Sequence, residues 1–182
     1  MERVTDNKYN FPDYYNWPFF YTIQRHAETR LKQLNMWCEL IVGFCRANKI
    51  WRLSKTFFIE CIGKNSNINR KLNNDSANII FDCMNKLGYG AYINKSTDEM
   101  FLLWRSLKEW EEYFYDTAIK FHKMDTLETL DFLIADDDNE NEEYFGMDKE
   151  LLIIILKGLE NKKKCILLTD DSNKYIGVKF LK

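Results

Sequence analysis

Five cysteines, two histidines and one dense run of carboxylates are the residues of this chain best suited to chemistry. The cysteines stand at 38, 45, 61, 83 and 165 and the histidines at 26 and 122. A zinc site draws closely grouped thiolate and imidazole ligands, often begun by a CxxC pair, and no such pair occurs. Cys38 and Cys45 lie seven apart in a helical pattern, where small buried apolar residues belong. Cys38 or Cys165 with His26 would be the nucleophile and base of a thiol enzyme, yet each thiol sits in an apolar element that keeps it inert. The acidic run DDDNENEE spans 136–143. A calcium loop opening at Asp136 requires Gly at its sixth place and Glu at its twelfth, where Asn141 and Met147 stand. A solvated acidic loop is the better reading. The patterns GxxxxGK[ST], GxGxxG, HExxH and GxSxG are all absent. The expectation is a protein that is not an enzyme, with no cofactor and no metal.

The elements that position these residues repeat. In ETRLKQLNMWCELIVGFCRAN, Glu28 to Asn48, Leu31, Leu34, Cys38, Ile41, Val42 and Cys45 recur at three- and four-residue steps, which predicts an amphipathic helix. A strand-like run over 50–55 follows, then a short aromatic segment, Phe57 to Ile62, stopped by Gly63. Asn74 or Asp75 is the expected cap of a helix over 76–87, ended by Gly88. Residues 91–94 and 100–104 read as two strands around KSTDE, a hairpin. The second half has a helix over 107–121 with Trp110, Phe114, Ala118 and Phe121 on one face, then a strand over 126–132. Asp148 caps a helix over 149–161, and strands over 164–169 and 175–181 flank DDSNK. Both halves read helix, strand, short helix, helix, hairpin. That order describes a winged helix, so the expected fold is α+β, two winged helices in tandem preceded by an extended aromatic and proline-containing N-terminal segment.

Composition agrees with two small globular units. Apolar residues make up 46% of the 182 and charged residues 30%, a globular balance and not a disordered one. Residues 1–105 hold 15 Lys/Arg against 10 Asp/Glu, a net +5, and residues 106–182 hold 11 against 18, a net −7, which sum to the overall −2. The expected domains are therefore 1–24, 25–105 and 106–182. No apolar run approaches the length of a membrane span, and no signal-peptide core follows the first residues. A reducing cytoplasm suits the unpaired cysteines.

Winged helices often lay their second long helix in the major groove of DNA, so nucleic-acid binding is the alternative function. That use needs Lys or Arg along the exposed helix face. Helix 76–87 sets Lys86 against Asp82. In helix 149–161 one face, Leu152, Ile155, Leu156 and Leu159, belongs to the core and leaves Ile154 roughly opposite. An exposed isoleucine suits a protein contact better than a phosphate. Arg70-Lys71 and Lys162–Lys164 are short basic clusters of the kind usually solvated.

The N-terminal segment is the remaining anomaly. From Tyr9 to Tyr21 eight of thirteen residues are aromatic, and both prolines, Pro12 and Pro18, fall there. Taken with ETRLKQLNMWCELIVGFCR, RKL, FLLWRSLKEW, ADDDNENEEYFGMD and the terminal GVKF, the stretch FPDYYNWPFFYTIQ carries a resemblance. The chain resembles, over nearly its full length, the family of vacuolar protein sorting-associated protein 25, the small subunit of the endosomal sorting complex ESCRT-II. The resemblance implies two tandem winged helices that serve as interaction modules, on cytoplasmic faces of endosomal membranes, without membrane insertion or nucleic-acid partners. It implies that two copies join two larger subunits in a Y-shaped heterotetramer, each docking through an N-terminal proline-aromatic motif. The second winged helix would recruit a helix of an ESCRT-III subunit during sorting of ubiquitinated cargo into multivesicular bodies. Family members read Pro-Pro-Phe and then an aromatic. Here Pro18, Phe20 and Tyr21 match, Phe19 replaces the second proline, and Phe11-Pro12 resembles the upstream aromatic-proline pair. Phe11, Pro12, Trp17, Pro18, Phe19, Phe20 and Tyr21 are thus the expected docking residues, with Ile154 expected in the ESCRT-III contact.

Overall fold

The structure, a computed structural model, describes residues 9–93 and 98–182. It divides between Trp104 and Arg105 into two compact units. The expected KSTDE turn lies largely outside the described residues.

In the first unit, α1 (Ala27–Ala47) forms on the expected periodicity and buries Leu34, Trp37, Cys38, Ile41, Phe44 and Cys45. Its buried face is turned from the expected one. Leu31 is 56% exposed while Gln33 and Leu40 are buried, because the N-terminal segment covers that flank of the helix. Strand β1 (Arg52–Ser54) ends in a serine whose Oγ accepts from the Phe57 N–H at 3.2 Å, so the same residue closes the strand and caps helix α2 (Lys55–Phe57). The helix widens into a π turn over Phe58–Ile62, closed by the Gly63 N–H on the Phe58 carbonyl at 2.7 Å. A two-residue ribbon, β2 (Lys64–Asn65) with β3 (Arg70–Lys71), leads to α3 (Asn74–Leu87). The cap of α3 is Asn73, one residue before the expected pair: its side chain accepts from the Ser76 N–H at 2.8 Å. Gly88 ends the helix at φ 77°, which only glycine adopts freely. Strands β4 (Gly90–Tyr92) and β5 (Glu99–Leu102) complete an antiparallel sheet in the order β1-β5-β4.

The second unit repeats this order. Helix α4 (Leu107–Lys120) starts on a capping box in which Ser106 and Glu109 satisfy each other's backbone N–H groups. Phe121, expected on the buried face, caps the helix end and is 36% exposed. The strand expected over 126–132 is only β6 (Leu127–Thr129); the Thr129 hydroxyl then accepts from the Phe132 N–H and starts α5 (Leu130–Ala135). Ser54 in the first unit has the same double role, so the two halves match in this detail as well. Helix α6 (Lys149–Asn161) begins at the Asp148 cap, and β7 (Cys165–Thr169) with β8 (Tyr175–Phe180) forms the wing, giving the order β6-β8-β7. The architecture is α+β, two winged helices in tandem.

The acidic run is less solvated than its charge suggests. Glu142 accepts from the Tyr113 hydroxyl at 2.7 Å and from Lys120 at 2.8 Å, and Arg105 reaches Glu143 at 2.6 Å. Asn139 and Tyr144 are buried, joined by a 3.2 Å hydrogen bond. The segment is a strap tied to α4. The lysines after α6 are also engaged: Lys162 pairs with Glu111 at 2.6 Å, and Lys164 Nζ sits 4.1 Å from the centre of the Tyr115 ring.

Candidate docking surfaces

The N-terminal segment has no strand or helix period because it folds as two short 3₁₀ turns, Asp13–Asn16 and Pro18–Tyr21. Proline opens the second, where its fixed φ suits a helical start and its missing N–H leaves nothing unpaired. The segment is therefore not the extended tail expected, but a covering of α1. Its aromatic side chains divide into two sets.

Phe20 and Tyr21 point inward. Phe20 is 2% exposed and stacks on Trp37 with ring centres 4.2 Å apart, and Tyr21 meets the same indole edge-on at 5.5 Å. The Tyr21 hydroxyl donates to the Tyr15 carbonyl at 2.9 Å, and burial raises its pKa above the usual phenol range. Tyr15, stacked on Phe11 at 4.1 Å, sets its hydroxyl 2.8 Å from the Lys64 carbonyl. Asn65 donates to the Tyr15 carbonyl and to the Asn16 side chain, both at 3.1 Å. Phe11 and Pro12 are half-buried. Sequence reasoning missed the inward direction of Phe20 and Tyr21; the available signal was Trp37 and Gln33 on one flank of α1.

Trp17, Pro18 and Phe19 point outward. Trp17 is 44% and Phe19 60% exposed, and their rings stack 5.3 Å apart, so the two present one flat apolar face. Beside them lies a largely apolar groove of about 310 Å³ walled by Phe20, Thr29, Lys32 and Met36. A stacked aromatic pair next to a proline offers large contact area with few torsions to freeze, the physical requirement for an anchor.

The second surface is the outer face of α6. Its inner face buries Leu151, Leu152, Ile155, Leu156 and Leu159, while Ile154 is 43% exposed. Lys157, one turn on, holds its Nζ 4.7 Å from the centre of the Tyr175 ring on the wing. Ile154 belongs to the second unit and the N-terminal residues to the first.

The buried thiols Cys38, Cys45 and Cys165 are poorly suited to be nucleophiles. Burial pushes Cys38 and Cys45 well above the usual thiol range and Cys165 up to about 12. Among the described residues no three His, Cys, Asp or Glu groups gather to hold a metal, and no helix is long and apolar enough to cross a membrane.

The comparisons with known proteins settle the family. A family model described as ESCRT-II complex subunit matches residues 14–148, which take in most of the aromatic segment and the acidic strap. The chain belongs to the ESCRT-II complex subunit family. Vacuolar protein-sorting-associated protein 25 of Xenopus laevis is 32% identical over 173 residues, 94% of this chain and 98% of that protein. The human protein of that name is 30% identical over the same length, covering 97% of its own chain. Among solved structures, subunit VPS25 of the endosomal trafficking complex ESCRT-II superposes with a TM-score of 0.84 at 28% identity, over 92% of this chain and 97% of that one. A chain of the endosomal complex ESCRT-II (VPS22/VPS25/VPS36) superposes at 0.81 with 26% identity, over 94% and 98%. As an ESCRT-II subunit, the chain is a component of a trafficking complex, and the two-winged-helix architecture is that of VPS25.

Proposed function

We propose that this chain is a non-catalytic adaptor of ESCRT-II on endosomes, docking on two larger subunits through Trp17, Pro18 and Phe19. The observation that carries the reading is the exposed stacked pair of Trp17 and Phe19 on a segment whose other aromatics are buried or half-buried. The ESCRT-II relative assembles VPS25 with VPS22 and VPS36, and equivalents of those two subunits are the partners assigned here, with two copies of this chain per complex. Phe11, Pro12, Phe20 and Tyr21 hold the segment and do not themselves anchor the partner. The second unit recruits a helix of an ESCRT-III subunit through the α6 face that carries Ile154, in sorting cargo to multivesicular bodies. The domain limits that follow are a docking segment over 1–24 and interaction modules over 25–105 and 106–182.

Nucleic-acid binding is disfavoured by charge. The exposed face of α3 carries Asp75, Asn78, Asp82 and Lys86, and two carboxylates against one cation make no basic stripe for phosphate. The test is co-expression with the two larger subunits, followed by mass measurement of the purified complex. Two copies of this chain with one of each larger subunit is the expected composition. Isolation of this chain alone under conditions where the other two subunits pair would overturn the reading.

A further inference from the structure

A segment without a ladder must place its backbone polar groups somewhere, because an unmet buried carbonyl is expensive. Over Phe19–Gln24 one side chain meets four of them. Gln33, on α1 and 6% exposed, donates from Nε2 to the Phe20 and Thr22 carbonyls, both at 2.9 Å, with the Phe19 carbonyl 3.4 Å away. Its Oε1 accepts from the Gln24 N–H at 3.0 Å. A primary amide has two donors and one carbonyl oxygen, and this geometry uses all of them. The indole N–H of Trp37 adds a second bond to the Phe20 carbonyl at 3.2 Å.

We propose that Gln33 is the positioning residue of the docking segment, the group that determines which aromatics face the partner. The inference rests on the docking reading given above. Fixing the carbonyls of Phe20 and Thr22 against α1 fixes the rotation of the 3₁₀ turn Pro18–Tyr21. With that rotation set, the Phe20 ring lies on Trp37 and the Phe19 ring, one residue earlier, faces solvent and stacks on Trp17. Stacking alone is weakly selective, since Phe19 and Phe20 are chemically the same and either ring could cover an indole. The hydrogen bonds are what distinguish them, because they act on backbone groups at fixed positions in the chain. Gln33 thereby converts an aromatic-rich segment with several alternative packings into one presenting a single pair.

The experiment measures binding of the full chain to the purified pair of larger ESCRT-II subunits, with hydrogen exchange of the Gln24 amide followed in the free chain. Gln33→Met keeps the length and removes every polar group; Gln33→Glu keeps the shape and the acceptors but removes both donors. Each variant is expected to weaken binding about tenfold, as when only about a tenth of the chains hold the competent packing, and Gln33→Met, which removes the acceptor of the Gln24 N–H, is also expected to speed exchange there. Trp17→Ala in the wild-type background separates the two ideas. If Trp17→Ala leaves binding unchanged, the docking reading itself fails. If Trp17→Ala weakens binding but folded Gln33→Met and Gln33→Glu bind as wild type, docking stands and the positioning role of Gln33 is wrong. Loss of the first unit's fold in both Gln33 variants would also overturn it, by showing that Gln33 supports the whole core and not the segment's rotation.

Discussion

Neighbouring aromatic residues in the N-terminal segment do opposite things, and single substitutions separate them. Phe20 is packed on Trp37 inside the first unit. Truncating a buried phenylalanine leaves a cavity as well as lost transfer free energy, so Phe20→Ala is expected to cost about 3–5 kcal/mol of stability and to lower the melting temperature sharply. Phe19 is 60% exposed. Phe19→Ala is expected to leave the melting curve nearly unchanged and to weaken docking about thirtyfold, the effect of losing one central anchor of about 2 kcal/mol. A resemblance to the proline-aromatic motif assigns both residues to the partner; only the structure parts them. The same logic applies in the second unit. Ile154 lies away from the core face of α6, so Ile154→Glu is expected to preserve the melting temperature and to abolish capture of an ESCRT-III helix in a pull-down. A melting temperature lowered as by a core substitution would place that face against the fold.

Among the elements, the second unit's strap gives an expected pH response. Burial raises the Glu142 carboxyl, but hydrogen bonds from Lys120 and Tyr113 outweigh it and leave the group below the usual range. A carboxylate depressed in the folded state stabilises the fold above its unfolded value of about 4.3 and loses that contribution as pH falls through the lower folded value. Acid melting of the second unit should therefore steepen below about pH 4.3, and Glu142→Gln should flatten it. An unchanged profile in the variant would show that the strap's ion pairs do not matter to stability. The helices α1, α3 and α6 were legible in the sequence because their apolar residues keep one period over three or more turns. The short helix α5 was not, since Leu130 and Phe132 fit a two-residue alternation equally well and only the Thr129 cap decides. The strap was misread as solvent-exposed because its partners, Tyr113 and Lys120, lie about 20 to 30 residues away on α4. Which way each aromatic of the segment faces was likewise hidden: a 3₁₀ turn of four residues is too short to show a period, and the deciding group, Gln33, is on another element.

At the scale of the whole chain, each winged helix has its own core. In the second unit Trp110, Phe114, Tyr144, Leu152, Ile155 and Phe180 are all buried. A fragment of residues 105–182 is therefore expected to fold cooperatively and to melt as one transition. Loss of structure in that fragment would show that the second module depends on the first. Docking as proposed above uses one exposed apolar face in each module, at Trp17 and Phe19 in the first and at Ile154 in the second. The most direct measurement is a binding isotherm of the full chain against the two larger ESCRT-II subunits, comparing wild type with the double variant Trp17→Ala, Phe19→Ala. Docking through the outward pair predicts at least about a hundredfold loss of affinity with an unchanged melting temperature. Wild-type affinity in the double variant would contradict it.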